Sequence, residues 1–309
     1  MMRYAVQRLA WLIPTLLAMA LVTFIVMHAT PGSPLDPEAP NANPLSPELQ
    51  RNLAEKYGLD KPLHVQFLTF LRNAIRLDFG FSYIYKSRTV AEIISETLPI
   101  SLHLGIMAFL FAVVGGVTLG TLAATRQNSW IDYLCVFLAT MGVSLPNFVI
   151  GILFIVLFSL TLGLFPVSGW DTPRHWVLPT LTLGLAELAI IARYTRASVL
   201  DVIRSDYTRT ARAKGVAERA VVTRHVLKNA LLPVVTYLGP LLAAIGTGSF
   251  FVEWIYSVPG MGKFFVLSMS GRDYNMIMGV ILLYGTFLGI MNLVVDLVYG
   301  FLDPRIRYE

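Results

Sequence analysis

Apolar residues in this 309-residue chain gather into uncharged runs far longer than a strand or an ordinary core helix needs. Leu9 to Leu35 carries no formal charge, and the stretch WLIPTLLAMALVTFIVMHA within it is long enough, at ~1.5 Å per residue, to cross hydrocarbon. Thr97 to Thr125 predicts a second span, and Gly105, Gly115, Gly116 and Gly120 along it predict close approach by another helix. Tyr133 to Trp170 is uncharged over 38 residues, too long for one straight crossing. It predicts a span from Tyr133 to about residue 160, interrupted or kinked around GVSLPNF, and then a turn. Val177 to Leu200 predicts a fourth span, Asn229 to Val252 a fifth interrupted at Gly239–Pro240, and Tyr274 to Val295 a sixth.

The polar stretches between these runs have their own pattern. SPELQRNLAEKYGLDKPLHVQFLTFLRNAIRL predicts two amphipathic helices. Ser46 caps the first, Pro47 opens it and Gly58 stops it. The second runs from about Pro62 to Leu77, with Val65, Leu68, Leu71 and Ile75 on one stripe. TVAEIISETLP predicts a further short helix ending before Pro99, where Glu92 and Glu96 read as a solvated face. The fold expected is an all-α polytopic membrane protein with six transmembrane helices. Its divisions are an N-terminal segment and first span (1–35), an extracytoplasmic helical segment (36–96), and a core with five spans (97–309). Six crossings place both termini on one side, and the Lys/Arg distribution makes that side cytoplasmic.

Composition agrees: 55% hydrophobic, 14% charged and a mean hydropathy of +0.64 exclude an ordinary soluble domain. Cys135 is the sole cysteine, so no disulfide framework or thiolate cluster is possible. The five histidines are scattered, which argues against a metal site. GxxxxGK, HExxH and GxSxG are all missing, so the chain carries no motif for nucleotide binding or covalent catalysis. A pI near 9.3 does not imply nucleic acid here, because the charges follow membrane topology.

Charge concentrates in one place. Between Arg193 and Lys228 lie nine Lys/Arg against three acids, more surplus than the whole chain carries. DVIRSDYTRTARAK is compatible with a helix stopping at Gly215, where a left-handed cap has no Cβ to strain. AERAVVTRHVLKNALL then resumes as a second helix before Pro233. A helix–glycine–helix outside the membrane, rigidly continuous with the next span, would transmit force from a partner. An anchor on anionic lipid is the alternative. Two other features are open in meaning. Glu187 is an intramembrane carboxylate, either functional or paired for packing. Pro146, inside a span, marks either a pore wall or an ordinary kink.

The loop YTRTARAKG…RHVLKNALLPV resembles that of the inner-membrane permease subunits of ATP-driven, binding-protein-dependent dipeptide and oligopeptide importers, most of all the oligopeptide permease B branch. The resemblance spans the chain through QRLAWLIPTL, HATPGSP, KYGLDKP…QF, DFGFS, TRQNSWIDY, LFPVSGW, FFVEWIYSVPGMG, RDYNMI and DPRIRY. It implies the type I importer permease fold and a coupling loop at 201–232 that docks on an ATPase subunit. The residues carried over are Tyr207, Arg209, Thr210, Ala211, Lys214, Gly215, Arg224, Asn229 and Pro233. Arg209 and Thr210 replace the first two positions of the general Glu-Ala-Ala motif, and Lys228 stands where its proline falls, as in the peptide branch. Glu253, Pro259 and Gly260 would belong to an outer turn leading into the last span, and with Pro146 and Glu187 they complete the pore or gate candidates.

What the resemblance implies is a peptide pore in the bacterial inner membrane, embedded in lipid and without catalysis or cofactor of its own. ATP and magnesium would sit in two partner ATPase subunits. A homologous C-type permease and an extracytoplasmic peptide-binding protein would complete the assembly. Pores for nickel, glutathione or antimicrobial peptides are the alternatives within the family. A proton-coupled secondary transporter using Glu187 and Asp296 is the alternative outside it.

Overall fold

The computed structural model describes residues 2–35, 46–85, 87–246 and 249–302. The start of the polar segment, 36–45, and the closing DPRIRYE lie outside them. Among the described residues the regular structure is helical apart from one isolated bridge between Phe81 and Thr89. Helix α1 is Met2–Ala29. Helix α2, Pro47–Tyr57, begins where the Ser46 side chain accepts the Leu49 N–H and ends on Gly58 at φ +68°, as its local signals predict. Helix α3 is Leu63–Ala74.

Helix α4, Val90–Thr125, corrects the sequence reading. The short helix expected to end before Pro99 and the second span are one element, opened by a capping box between Thr89 and Glu92. Pro99 leaves the Ser95 carbonyl without its N–H partner, but both residues lie on the exposed side. Other donors can serve that carbonyl, and the helix continues. The division at 96/97 therefore falls inside a helix.

Helix α5, Trp130–Ser144, and helix α6, Asn147–Phe154, followed by a π-helical stretch Ile155–Thr161, make the interrupted third segment. The bend between them is 108°. Its cause is local: the residue before a proline is driven out of the helical region, and Leu145 stands at ψ 130° with Pro146 at ψ 141°. Helix α7 is Pro173–Ile203. The basic segment folds as α8 (Asp206–Ala213), α9 (Glu218–Ala220), a π-helical stretch Val221–Val226 and α10 (Leu227–Ala230).

Helix α11, Leu232–Gly246, runs unbroken through Gly239–Pro240, contrary to the expected interruption. Here too the proline ring sits on an open side, with Thr236 one turn earlier equally exposed. The break comes instead before Pro233, where Glu218–Ala230 and Leu232–Gly246 meet at 58°. The loop thus meets the next span at an angle and is not collinear with it. Helix α12, Phe250–Ile255, straddles the expected end of the fifth span at Val252 and the start of the turn read after it, and helix α13 is Met261–Ser270. Helix α14, Tyr274–Leu302, closes the described chain.

Four of these helices are long and apolar enough to span a membrane, or up to six segments if each bent pair counts as one. The main core joins Leu104, Ala108 and Ala112 of α4 to Leu178, Leu183 and Ile191 of α7 and to Val234, Leu241 and Ile245 of α11. Glycine permits the closest approaches. A Cβ on Gly120 would stand 2.5 Å from the Ala192 carbonyl oxygen, and one on Gly105 2.7 Å from that of Ile245. Helix α1 packs on α14, with Arg8 on Asp296 at 3.0 Å near one end and the His28 and Tyr274 rings 5.0 Å apart at the other.

One buried carboxylate ties the polar segment to this bundle. Asp273 accepts the Met276 N–H at 3.1 Å at the start of α14. It also accepts the Tyr83 N–H at 3.0 Å, the Ile84 N–H at 3.4 Å and the Ser82 hydroxyl. Burial pushes its carboxyl above the usual range, with those hydrogen bonds opposing. Asp273→Ala strands the donors it served, a loss on the order of 3 kcal/mol. The expected result is new protease cleavage between α3 and α4 in membrane vesicles; parental protection would show that the segment stays seated without the tether.

Candidate functional site

The basic segment is built as a clamp with a buried underside and a charged outer face. Its underside is Ala211, Val221, Val226 and Ala230, packed on Val199 of α7 and Ala124 of α4. Thr208 is buried with it, its hydroxyl reaching the Val202 carbonyl at 3.2 Å and the Ser205 hydroxyl at 3.0 Å. The alternation follows from helix periodicity: positions 208 and 211 face inward, so 207, 209, 210 and 214 face outward.

Two cross-links fix the arms. At the turn, Gly215 takes φ +75°, its N–H donates to the Arg212 carbonyl at 2.9 Å, and Arg212 grips Glu218 with two bonds of 3.0 and 2.7 Å. That fork holds the Glu218 carboxyl below its usual range. At the open end the Asn229 amide donates to the Tyr207 hydroxyl at 2.9 Å. Of the nine residues singled out from sequence, Ala211 lies in the seam, while Tyr207, Arg209, Thr210, Lys214, Gly215, Arg224, Asn229 and Pro233 are exposed around it.

Of the pore and gate candidates, the structure brings Glu253 and Gly260 together. Pro146 sits at the 108° break. Glu187 is partly exposed on α7 and accepts the Tyr237 hydroxyl at 2.5 Å. Glu253, by contrast, is wholly enclosed. It accepts the Ser101 hydroxyl at 2.8 Å, the Gly262 N–H at 2.8 Å and the Ser249 N–H at 3.3 Å. The Ser101 oxygen in turn accepts the Met261 N–H at 2.8 Å. Burial drives the Glu253 carboxyl upward against these bonds. Gly260 closes the knot: a Cβ there would stand 2.5 Å from the Ser101 hydroxyl, while Pro259 remains exposed.

Sequence reasoning passed over one pair beside the clamp. Asp132, at the start of α5, receives Arg196 of α7 through bonds of 2.6 and 2.7 Å. The signal available was a lone acid in the turn RQNSWID and an arginine within a span. Arg204 crosses the same gap to Gln127 at 3.0 Å.

Comparison with known proteins bears on this arrangement. The family described as "Binding-protein-dependent transport system inner membrane component" matches residues 116–308. Its companion, "Binding-prot-dependent transport system membrane comp, N-term", matches residues 1–105. The chain is 43% identical over 307 residues to the dipeptide transport system permease protein DppB of Bacillus subtilis, covering 99% of this chain and 98% of that one. It is 40% identical over 310 residues to the oligopeptide transport system permease protein OppB of Haemophilus influenzae, covering 100% of both. Among solved structures it is similar in fold to a chain of the MetNI methionine ABC transporter in inward-facing form. The TM-score is 0.55 at 18% identity, over 68% of this chain and 96% of that one.

Proposed function

The chain belongs to the binding-protein-dependent transport system inner membrane components, and from that membership we propose that it is the B-type permease of an ATP-driven peptide importer. It is a multi-pass subunit of the bacterial inner membrane that moves solute and performs no chemistry. Peptide is the substrate class because DppB and OppB, aligned over essentially the whole chain, are peptide permeases by name.

The observation that carries the mechanism is the clamp at 205–230. Its outer face is basic and exposed, its arms are cross-linked, and its underside is seated on α4 and α7. It docks on an ATPase subunit through Tyr207, Arg209, Thr210, Lys214, Gly215, Arg224, Asn229 and Pro233, with Ala211 as the buried anchor. Two ATPase subunits hold ATP and magnesium, a C-type permease closes the pore, and an extracytoplasmic receptor selects the peptide. Six crossings put both termini and the clamp in the cytoplasm. ATP binding closes the ATPases and moves the clamp. Because a 58° bend separates it from α11, the displacement passes through the Val199 and Ala124 seam as much as along the chain. The spans then rock between inward-open and outward-open states, an equilibrium the nucleotide shifts by differential affinity.

The test is uptake by the reconstituted assembly. Peptide accumulation is expected to require ATP and the receptor together and to survive collapse of the proton gradient. Accumulation driven by that gradient without ATP would establish the secondary-transporter reading instead.

A further inference from the structure

Helix surfaces that the chain leaves uncovered are of two kinds. On α4 the open positions are Ile106, Leu110, Val114, Thr118 and Leu122, and the one hydroxyl is turned back onto the Val114 carbonyl at 2.6 Å. Acyl chains suit such a face. On α7 the least covered stripe is Glu187, Ile190, Tyr194 and Ala197, with Arg193 beside it, and on α11 it is Pro233, Thr236, Tyr237, Pro240 and Ala244.

These two stripes adjoin. The Tyr237 hydroxyl donates to Glu187 Oε2 at 2.5 Å, and the Tyr194 and Tyr237 rings lie 5.7 Å apart. The Thr236 hydroxyl is turned back onto the Leu232 carbonyl at 3.2 Å, but a spanning surface that still holds a carboxylate, a guanidinium and two tyrosine hydroxyls is costly against lipid and belongs on a watered path.

Within this wall Glu187 is an acceptor without a cation. Among the described residues its hydrogen-bond donor is Tyr237 on Oε2, and no Lys or Arg nitrogen comes within ion-pair distance. Arg196, further along the same helix, is held by Asp132. Tyr237 therefore fixes one carboxylate oxygen and leaves Oε1 with capacity to accept.

We propose that Glu187, positioned by Tyr237, is a binding site in the translocation wall for the ammonium group of a peptide in transit. This rests on the peptide-import reading. A peptide leaving its receptor carries a terminal ammonium and, with lysine, a second one. A charge-assisted hydrogen bond to a carboxylate already held in place is stronger than a neutral one. The site would give the peptide one point of hold during the switch between the two states.

The experiment uses the complete complex in proteoliposomes with its receptor unaltered, so that receptor preferences cancel in each variant-to-parent ratio. Uptake of Ala-Lys-Ala, Ala-Ala-Ala and Ala-Glu-Ala is compared for Glu187→Gln, Glu187→Asp and Tyr237→Phe. Glu187→Gln is expected to slow Ala-Lys-Ala on the order of tenfold, equivalent to ~1.4 kcal/mol. Glu187→Asp restores most of the rate, and Tyr237→Phe loses roughly threefold, as expected when a positioning bond of about 0.6 kcal/mol is removed. Co-purification of both permeases and the ATPases is expected to be retained in all three variants. Slowing confined to Ala-Lys-Ala assigns the site to a side-chain ammonium. Equal slowing of all three peptides, still restored by Glu187→Asp, assigns it to the terminal one. Parental uptake of every peptide by Glu187→Gln overturns the proposal. So does a loss accompanied by dissociation of the second permease, which would make a cation of that subunit the partner. A parent complex that carries no peptide at all would strike the import reading itself.

Discussion

Gly215→Pro is expected to yield a subunit that reaches the membrane and no longer retains its ATPase partners. Gly215 stands at φ +75°, a region closed to proline, whose ring fixes φ near −65°. The substitution also deletes the N–H that bonds to the Arg212 carbonyl at 2.9 Å. With the turn opened, Arg212 can no longer hold Glu218 in its two-bond grip, and the two arms lose their fixed spacing. The spans lie outside this change, since a side chain at 215 would meet nothing within 4 Å. That open space supplies the control. Gly215→Ala strains only the backbone, by about 1 kcal/mol, and should keep ATPase co-purification and most uptake. Co-purification that survives Gly215→Pro would remove the clamp from the coupling path.

Turn chemistry was readable because its signals are local. Ser46, Pro47 and Gly58 bound α2 where the sequence says they should, and Gly215 takes the left-handed conformation expected of it. Glu92 and Glu96, read as a solvated face, serve a capping box and an ion pair with Arg88. The prolines misled in both directions for one reason. Whether Pro99 or Pro240 breaks a helix depends on whether the carbonyl it strips lies on an open or a packed face, and sequence does not say which. Pro146 does break one, and the carbonyl it strips is that of Gly142, which is buried against Leu185 and Ala189 of α7. Helices α12 and α13 are short, flanked by glycine and proline, and stabilised through the knot of Glu253 with Ser101, so their origin is tertiary.

Of the candidate site, the exposed ring of residues was legible from motif and charge, whereas the links that hold it were not. Arg212 and Glu218 are six residues apart, within the range of a local reading. Tyr207 and Asn229, at 22, are not, and Glu187 and Tyr237 lie 50 apart. Periodicity alone cannot pair such residues. It does place Glu187 on a helix, which is why the carboxylate stood out while its partner did not.

The largest stability effect is expected at Asp132 and Arg196, and it should be asymmetric. The Asp132 side chain is 2% exposed and that of Arg196 29%. Removing the arginine strands a carboxylate that, among the described residues, keeps only the Asn128 N–H at 3.0 Å. Removing the acid strands a guanidinium that can lean toward water on a long stem. Breaking a buried pair from one side costs about 3–5 kcal/mol. Arg196→Met should approach that range, while Asp132→Asn, with its partner partly solvated, should fall nearer 1–2 kcal/mol. The double variant Asp132→Leu with Arg196→Met buries no charge and should recover much of the loss, since a well-packed apolar replacement is often neutral. The measurement is the fraction of purified subunit that stays monodisperse after heating, compared across the cycle. Because the pair joins α5 to α7 beside the seam under the clamp, the recovered double variant separates two roles. Stability restored with uptake still impaired would make the ion pair part of the moving joint, and both restored together would make it packing alone.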